Sequence, residues 1–173
     1  MRLKEHIELV QDCLSDVFSR FNYVLTGKED YALFFSNQAT RIIFTSELRD
    51  TGANIVIEDS RSIPPKIYTL WDLIEFLGES QNRPIYNPNK THPENFRNFL
   101  ETCNRLFVSR FSDLLTGDFS RLLQDNAFDN YRSECAKYEL EIVNLPEDDP
   151  IVKKCYALDP SWLEDIKTRF GER

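Results

Sequence analysis

Residues 31–58 read YALFFSNQATRIIFTSELRDTGANIVIE, and this stretch decides the fold class. Short runs of β-branched and aromatic residues, which favour strands, alternate with the turn-like segments 36–38 and 50–52. Runs so closely spaced are joined by hairpins, because a parallel crossover needs a dozen or more residues. The sequence therefore predicts an antiparallel meander of three or four strands. The candidate strands are residues 31–35, 40–45 and 54–58.

Two of these runs are apolar at consecutive positions rather than at alternate ones. Ile42-Ile43-Phe44 and Ile55-Val56-Ile57 would present apolar side chains to both faces of the sheet. A strand with one covered face normally alternates between apolar and polar residues. We therefore expect the sheet to be covered, at least partly, on each side.

An amphipathic helix is predicted ahead of the meander, over residues 3–21. Apolar residues recur there at helical spacing, and acidic and polar residues occupy the opposite face. We expect this stripe to pack on a flat apolar surface, and residues 26–30 to form a turn before the first candidate strand. The stripe consists of Leu3, Ile7, Val10, Leu14, Val17, Phe18 and Phe21.

The rest of the chain is predicted to be helical. Capping-box spacing in residues 69–72 opens a short helix that Gly78 ends, and residues 79–90 form a loop. The same spacing in residues 91–94 opens a long helix whose apolar stripe runs to Leu115.

A second apolar stripe, from Phe119 to Ile142, follows Gly117 after a hinge of one or two residues. Two long helices so joined predict an antiparallel helical hairpin, and a last helix follows Asp159-Pro160. The predicted fold class is α+β, with an N-terminal helix on a short antiparallel meander, then a helical hairpin and a C-terminal helix. We expect a single domain over 1–173, with an α/β part over 1–78 and a helical part over 91–173.

The net charge of the chain indicates which classes of partner it can bind. The chain has 21 Lys and Arg against 29 Asp and Glu, for a net charge of −8. A phosphate backbone or an anionic membrane surface repels such a protein, so we expect neither nucleic acid nor membrane as a partner. A basic protein partner is favoured, because complementary fields speed association.

Four cysteines stand at positions 13, 103, 135 and 155, and none belongs to a C-x-x-C pair. Cys13, Cys103 and Cys135 fall on predicted apolar stripes, so we expect buried, reduced thiols and no structural metal. The start of the chain is charged and has no apolar leader, and the longest apolar run has five residues. We therefore predict a cytoplasmic protein.

Signatures of catalysis are missing from the sequence. His6 and His92 belong to no metal-binding pattern, and neither a nucleophile elbow nor a phosphate-binding glycine loop occurs. The sequence therefore predicts a protein that is not an enzyme and binds no cofactor.

Two acidic segments are the candidate partner-binding residues. Glu147, Asp148 and Asp149 form the densest cluster, and Glu58 and Asp59 close a predicted strand. Both segments fit solvated loops, which is the more common role of such charges, and docking charges for a basic partner are the alternative.

The order of parts over residues 3–78 resembles small bacterial α+β immunity proteins of polymorphic toxin systems. The features that carry the resemblance are the first helix, the aromatic pair in Phe21-Asn-Tyr23, the meander and Tyr68-Thr-Leu-Trp-Asp-Leu73. The resemblance implies an inhibitor that binds a single toxin or enzyme, and it assigns no site residue.

Two other functions remain open at this point. The predicted hairpin over residues 91–143 would also suit a helical scaffold or oligomerisation protein, with a homodimer as its expected form. A hydrolase that uses Asp, Glu and a divalent metal is the third possibility, and it requires a concave pocket with three or more carboxylates.

Overall fold

The computed structural model describes residues 2–46 and 53–171, over which the chain forms two compact units. The sheet unit comprises the described residues up to Leu70 together with Asn82–Asp118. The helical unit comprises Trp71–Gln81 together with the described residues from Phe119 onward. The helices are α1 Ile7–Cys13, α2 Ser15–Phe21, α3 Leu70–Phe76, α4 His92–Ser109, α5 Ser112–Leu115, α6 Ser120–Leu123, α7 Ala127–Ala136, α8 Glu139–Asn144, α9 Pro150–Tyr156 and α10 Trp162–Phe170.

The sheet unit contains an antiparallel sheet in which each described strand pairs with the next along the chain. This confirms the α+β class and the predicted meander, with five strands among the described residues in place of three or four. The predicted turn over 50–52 lies outside the described residues. The strands are β1 Val24–Lys28, β2 Ala32–Ser36, β3 Thr40–Thr45, β4 Asn54–Asp59 and β5 Lys66–Thr69.

The two additional strands lie at the edges of the sheet. The predicted turn over residues 26–30 is wrong for its first half, because β1 continues to Lys28. Gly27 pairs with Phe34, and a Cβ at position 27 would lie 3.1 Å from the Phe34 ring. The glycine therefore makes room for an aromatic ring and does not turn the chain. β5 follows a double proline, and pairing with β4 holds it in the sheet.

Burial follows the predicted two-sided pattern. Ile42 and Ile57 are paired neighbours and fully buried. Ile43 and Val56 are paired on the opposite face, where both are half-buried. The expectation that the sheet is partly covered on each side is thus confirmed.

The N-terminal helix packs on the sheet as predicted, although it is divided. A single 3₁₀ turn, Leu3–His6, precedes α1, and the backbone leaves helical geometry at Leu14 before α2. The apolar stripe is buried except at Ile7 and Phe18, which are half-buried, and the Phe18 ring stacks on Phe35 of β2 with a centroid distance of 4.4 Å.

Helix α4 begins where the sequence predicts. The backbone N–H of Thr91 donates to Glu94 Oε2 at 2.8 Å, which is the reciprocal bond of a capping box. The helix then packs on α1 and α2, which places it in the sheet unit. The compact units therefore differ from the predicted subdivision into 1–78 and 91–173.

Both predicted arms of the helical hairpin are divided into shorter helices. The first arm breaks after Ser109, and α5 follows α4. The second arm breaks at Asp125 and Asn126, whose positive φ angles of 51° and 55° interrupt the helix. The helical unit instead has a compact apolar core to which α7–α10 contribute. That core consists of Tyr138, Ile151, Trp162, Leu163 and Ile166.

Asn37, in the turn between β2 and β3, joins three segments of the sheet unit. Its Nδ2 donates to the carbonyls of Phe21 and Leu115 at 3.1 and 3.0 Å. Its Oδ1 accepts from the backbone N–H groups of Ala39 and Thr40 at 2.9 and 2.8 Å. One side chain thereby satisfies backbone groups of the turn and of the ends of two helices.

Candidate partner-binding surface

Negative charge is concentrated in one of the two units. In the sequence, residues 71–81 and 119–173, which include the helical unit, carry 8 basic and 15 acidic side chains, or −7 of the chain's −8. Residues 1–70 and 82–118, which include the sheet unit, carry 13 basic and 14 acidic side chains and are nearly neutral. A charged partner therefore experiences a field that originates mainly from residues 71–81 and 119–173.

The predicted site residues at 147–149 lie on the loop between α8 and α9, and they divide into two roles. Glu147 and Asp148 are exposed, and no hydrogen bond or ion pair within the described chain engages either carboxylate. They are available to a partner.

Asp149 has a structural role instead. Its Oδ1 accepts the backbone N–H of Ile151 at 2.8 Å and so caps α9. Its Oδ2 forms an ion pair with Arg169 of α10 at 2.6 Å. The Arg169 guanidinium, together with the bond from Ile151, lowers the pKa of the Asp149 carboxyl below its ordinary value. The side chain stabilises the helical unit and is not a free docking charge.

Glu58 and Asp59, at the end of β4, are buried. The prediction that they are solvated or dock a partner is therefore wrong, because each carboxylate is engaged within the sheet unit. Glu58 pairs with Arg41 of β3 at 3.4 Å and accepts from Ser60 Oγ at 3.3 Å. They close a strand as predicted but offer little surface to a partner.

Asp59 belongs to a contact that holds the end of α5. Its Oδ1 accepts the backbone N–H of Arg61 at 3.1 Å, and the Arg61 guanidinium donates to the carbonyl of Gly117. Gly117 has a φ of +85°, and a Cβ there would lie 2.8 Å from the Cβ of Ala39. The glycine is therefore required both by its backbone conformation and by this close approach.

Helix α8 is a short ridge with an apolar outer side. Ile142 packs against the core of the helical unit, whereas Leu140 and Val143 are 69% and 78% exposed. Glu139 is exposed as well, and no hydrogen bond or ion pair within the described residues engages it. Two large aliphatic side chains are thus exposed to solvent close in sequence to the Glu139 carboxylate, which is unpaired among the described residues.

Two clefts border this ridge. One, of about 290 Å³, reaches the core aromatic residues Tyr131 and Trp162, and the other, of about 580 Å³, lies against Leu140. Ala136, Glu139 and Val143 line both clefts. The ridge and its clefts therefore form one surface of apolar and acidic groups, to which the basic side chains Arg132 and Lys137 also contribute.

The deeper cleft holds three carboxylates, those of Asp72, Glu75 and Glu139, which is the arrangement that a hydrolase would require. Two of them are engaged. Asp72 pairs with Arg132 at 3.5 Å, and Glu75 accepts the indole N–H of Trp162. Within residues 2–46 and 53–171, no group of three His, Cys, Asp or Glu side chains could hold a metal ion.

The four thiols are free, and only Cys103 is fully buried. Burial raises the pKa of Cys135, which lines the deeper cleft with Cys155, to about 11. A thiol with so high a pKa is almost entirely protonated near neutral pH and is a poor nucleophile. The cleft therefore has no activated cysteine at Cys135.

The apolar spacing of the sequence does not reveal α8 as a surface. Tyr138 and Ile142 belong to the predicted apolar stripe, and both contribute to the core. The available signal was that Leu140 and Val143 are apolar but lie off that stripe, flanked by acidic residues.

Comparisons with protein families, with curated proteins and with solved structures found no match to this chain. None of the helices in the described ranges is both long enough and apolar enough to cross a bilayer.

Proposed function

We propose that this protein is a non-enzymatic binding module that docks one basic protein through the acidic surface of its helical unit. The observation that carries the proposal is the concentration of charge: seven of the eight net negative charges belong to that unit. Glu147 and Asp148 present part of this charge to solvent without a partner of their own. Charge arranged in this way attracts a basic protein before contact and penalises acidic ones.

An immunity-type inhibitor of a basic toxin or enzyme is the specific form that we propose, in a bacterial cytoplasm. The resemblance of residues 3–78 to immunity proteins supports it, as does the order of helix, meander and helix. An inhibitor of this kind needs a rigid surface and no chemistry of its own, in keeping with the absence of catalytic motifs from the sequence.

The hydrolase alternative has one favourable observation, the three carboxylates in one cleft. The contacts of these carboxylates favour a binding role over catalysis. Arg132 forms an ion pair with Asp72, and the Trp162 indole N–H donates to Glu75. A hydrolytic site would need them free to hold a metal or to move a proton. Hydrolysis of ester or phosphate substrates that is abolished by Glu75→Gln would favour this alternative.

The test of docking is the rate of association with the partner, captured by affinity from the producing cell. The double variant Glu147→Lys, Asp148→Lys should lower that rate about tenfold or more at low salt and flatten its salt dependence. The effect should shrink where the Debye length falls to about 8 Å, near physiological ionic strength.

A matched control has the same charge change on the sheet unit. Glu8 and Asp12 of α1 are exposed and form no hydrogen bond or ion pair with described residues. The variant Glu8→Lys, Asp12→Lys should slow association much less. Equal rates for the two double variants would show that only net charge matters, and the proposal would then be wrong about the docking unit.

A further inference from the structure

We infer that α8 and its two flanking clefts form the contact surface for a basic amphipathic helix of the partner. This inference rests on the proposed function, since it names the place and the chemistry of the docking that the charge distribution favours. It concerns residues 136–148.

Helix α8 exposes two apolar side chains to solvent. Leu140 and Val143 are one helical turn apart, so they lie on the same side of α8. They are 69% and 78% exposed, whereas Ile142 between them contacts the core. An apolar pair of this kind, next to clefts that its own side chains help to line, fits the apolar face of another helix.

Charge decides which helix fits. Exposed carboxylates lie at both ends of the ridge, with Glu139 at its start and Glu147 and Asp148 just beyond its end. The cation closest in sequence, Lys137, is already paired with Glu134 at 2.6 Å. Lys137 and Arg132 also line the clefts, but each is paired with a carboxylate. Apolar anchors with unpaired carboxylates at both ends match a helix that has apolar residues on one face and Lys or Arg beside them.

The same charge argues against a second copy of this chain as the occupant. Two α8 surfaces brought together would place like-charged rims against each other within units of net charge −7. Like charges across an interface oppose association. A homodimer through α8 is therefore the competing outcome that the experiment must detect.

The probe is a synthetic Leu/Lys peptide of about 18 residues with a continuous apolar face, long enough to be helical when bound. The readout is the change in amide chemical shifts of the full-length, isotope-labelled protein during titration. We expect saturable changes centred on residues 136–148. A peptide of the same composition with its leucines scattered around the helix should bind at least about tenfold more weakly.

Substitution of the ridge provides the second measurement. Leu140→Ser with Val143→Ser should raise the dissociation constant of the peptide about tenfold or more. The matched control is Ile85→Ser with Tyr86→Ser, a pair on the sheet unit with similar exposures of 69% and 63%. Because both pairs are exposed, neither double variant should alter the circular dichroism spectrum.

The outcomes separate this inference from the proposed function. If the reversals at Glu147 and Asp148 slow partner association while the ridge variant binds peptide and partner normally, docking stands and the α8 surface is overturned. Equal binding of the two peptides also overturns it, because the acidic field alone would then account for binding. A dimer by light scattering that the ridge variant abolishes overturns it in favour of self-association.

Discussion

The Asn37 side chain provides the most direct test of how the sheet unit is held together. Asn37→Ala removes five hydrogen bonds. Two are donated to the carbonyls of Phe21 and Leu115, and three are accepted from the backbone N–H groups of Ala39 and Thr40 and from the Thr40 hydroxyl. At about 1 kcal/mol net per bond, the upper limit is about 5 kcal/mol. Because Asn37 is half-buried, water replaces part of this, and we expect a loss of about 2–3 kcal/mol in the free energy of unfolding.

Asn37→Asp separates the donated from the accepted bonds. The carboxylate retains the oxygen that accepts from Ala39 and Thr40 but turns its second oxygen toward the two carbonyls, which it cannot serve as a donor. Repulsion disfavours the charged form, so the pKa of the introduced carboxyl is raised in the folded state. A raised pKa means that the variant recovers stability relative to the wild type below about pH 4 and loses it as the pH rises through the folded-state pKa.

Urea denaturation followed by far-ultraviolet circular dichroism measures both effects, with wild type and variants compared at each pH. We expect the midpoint of Asn37→Ala to fall at every pH, and the deficit of Asn37→Asp to be larger at about pH 7 than at about pH 3.5. Variants that unfold at the wild-type midpoint would refute the reasoning, because the turn between β2 and β3 would then hold without this side chain.

Two further predictions concern the same unit. Gly117→Ala should lower the free energy of unfolding by about 2–4 kcal/mol, because the new Cβ would clash with Ala39. The control is Gly78→Ala, where φ is +68° but the space is open, and it should cost only about 1 kcal/mol. Equal urea midpoints for the two variants would contradict the close approach at Gly117. Burial raises the pKa of Tyr23 to about 12, so the neutral phenol contributes stability that is present below about pH 10 and is lost as the pH rises toward 12. The stability difference between wild type and Tyr23→Phe should therefore move against the wild type between about pH 9 and pH 11.5, and a constant difference would count against a buried phenol.

The sequence could predict those parts of the fold in which local patterns and tertiary packing agree. The β3 run is apolar and β-branched, so propensity and burial select the same state. The capping box at Thr91 is likewise a local signal with a local effect. In both places the observed element starts where the sequence predicts it.

Other elements depend on contacts that no local pattern specifies. Thr-Gly-Lys at 26–28 has the composition of a turn. It is nevertheless part of β1, because it pairs with β2 and because Gly27 leaves room for the Phe34 ring. The second arm of the predicted hairpin has the right apolar spacing, but the left-handed backbone at Asp125 and Asn126 breaks it. Apolar spacing predicts which residues are buried, but it does not show whether the helix that carries them is continuous.

The candidate site was partly predictable for a related reason. Acidic clusters are visible in a sequence, but whether each carboxylate is free depends on its neighbours in space. Glu147 and Asp148 are free of partners within the described chain, whereas Asp149 caps a helix and Glu58 pairs with Arg41. The division into units could not be predicted either. Residues 71–81 pack with the C-terminal helices and add three carboxylates to the acidic unit.

Amide hydrogen exchange of the protein, alone and in complex with its captured partner, tests the central claim most directly. It reports protection along the whole chain without any substitution, so it locates the docking surface independently of the charge variants. We predict that the partner slows exchange over residues 136–148 and leaves the strands of the sheet unit unchanged. Protection confined to the sheet unit, with residues 136–148 exchanging as in the free protein, would contradict the claim that the acidic helical unit binds the partner.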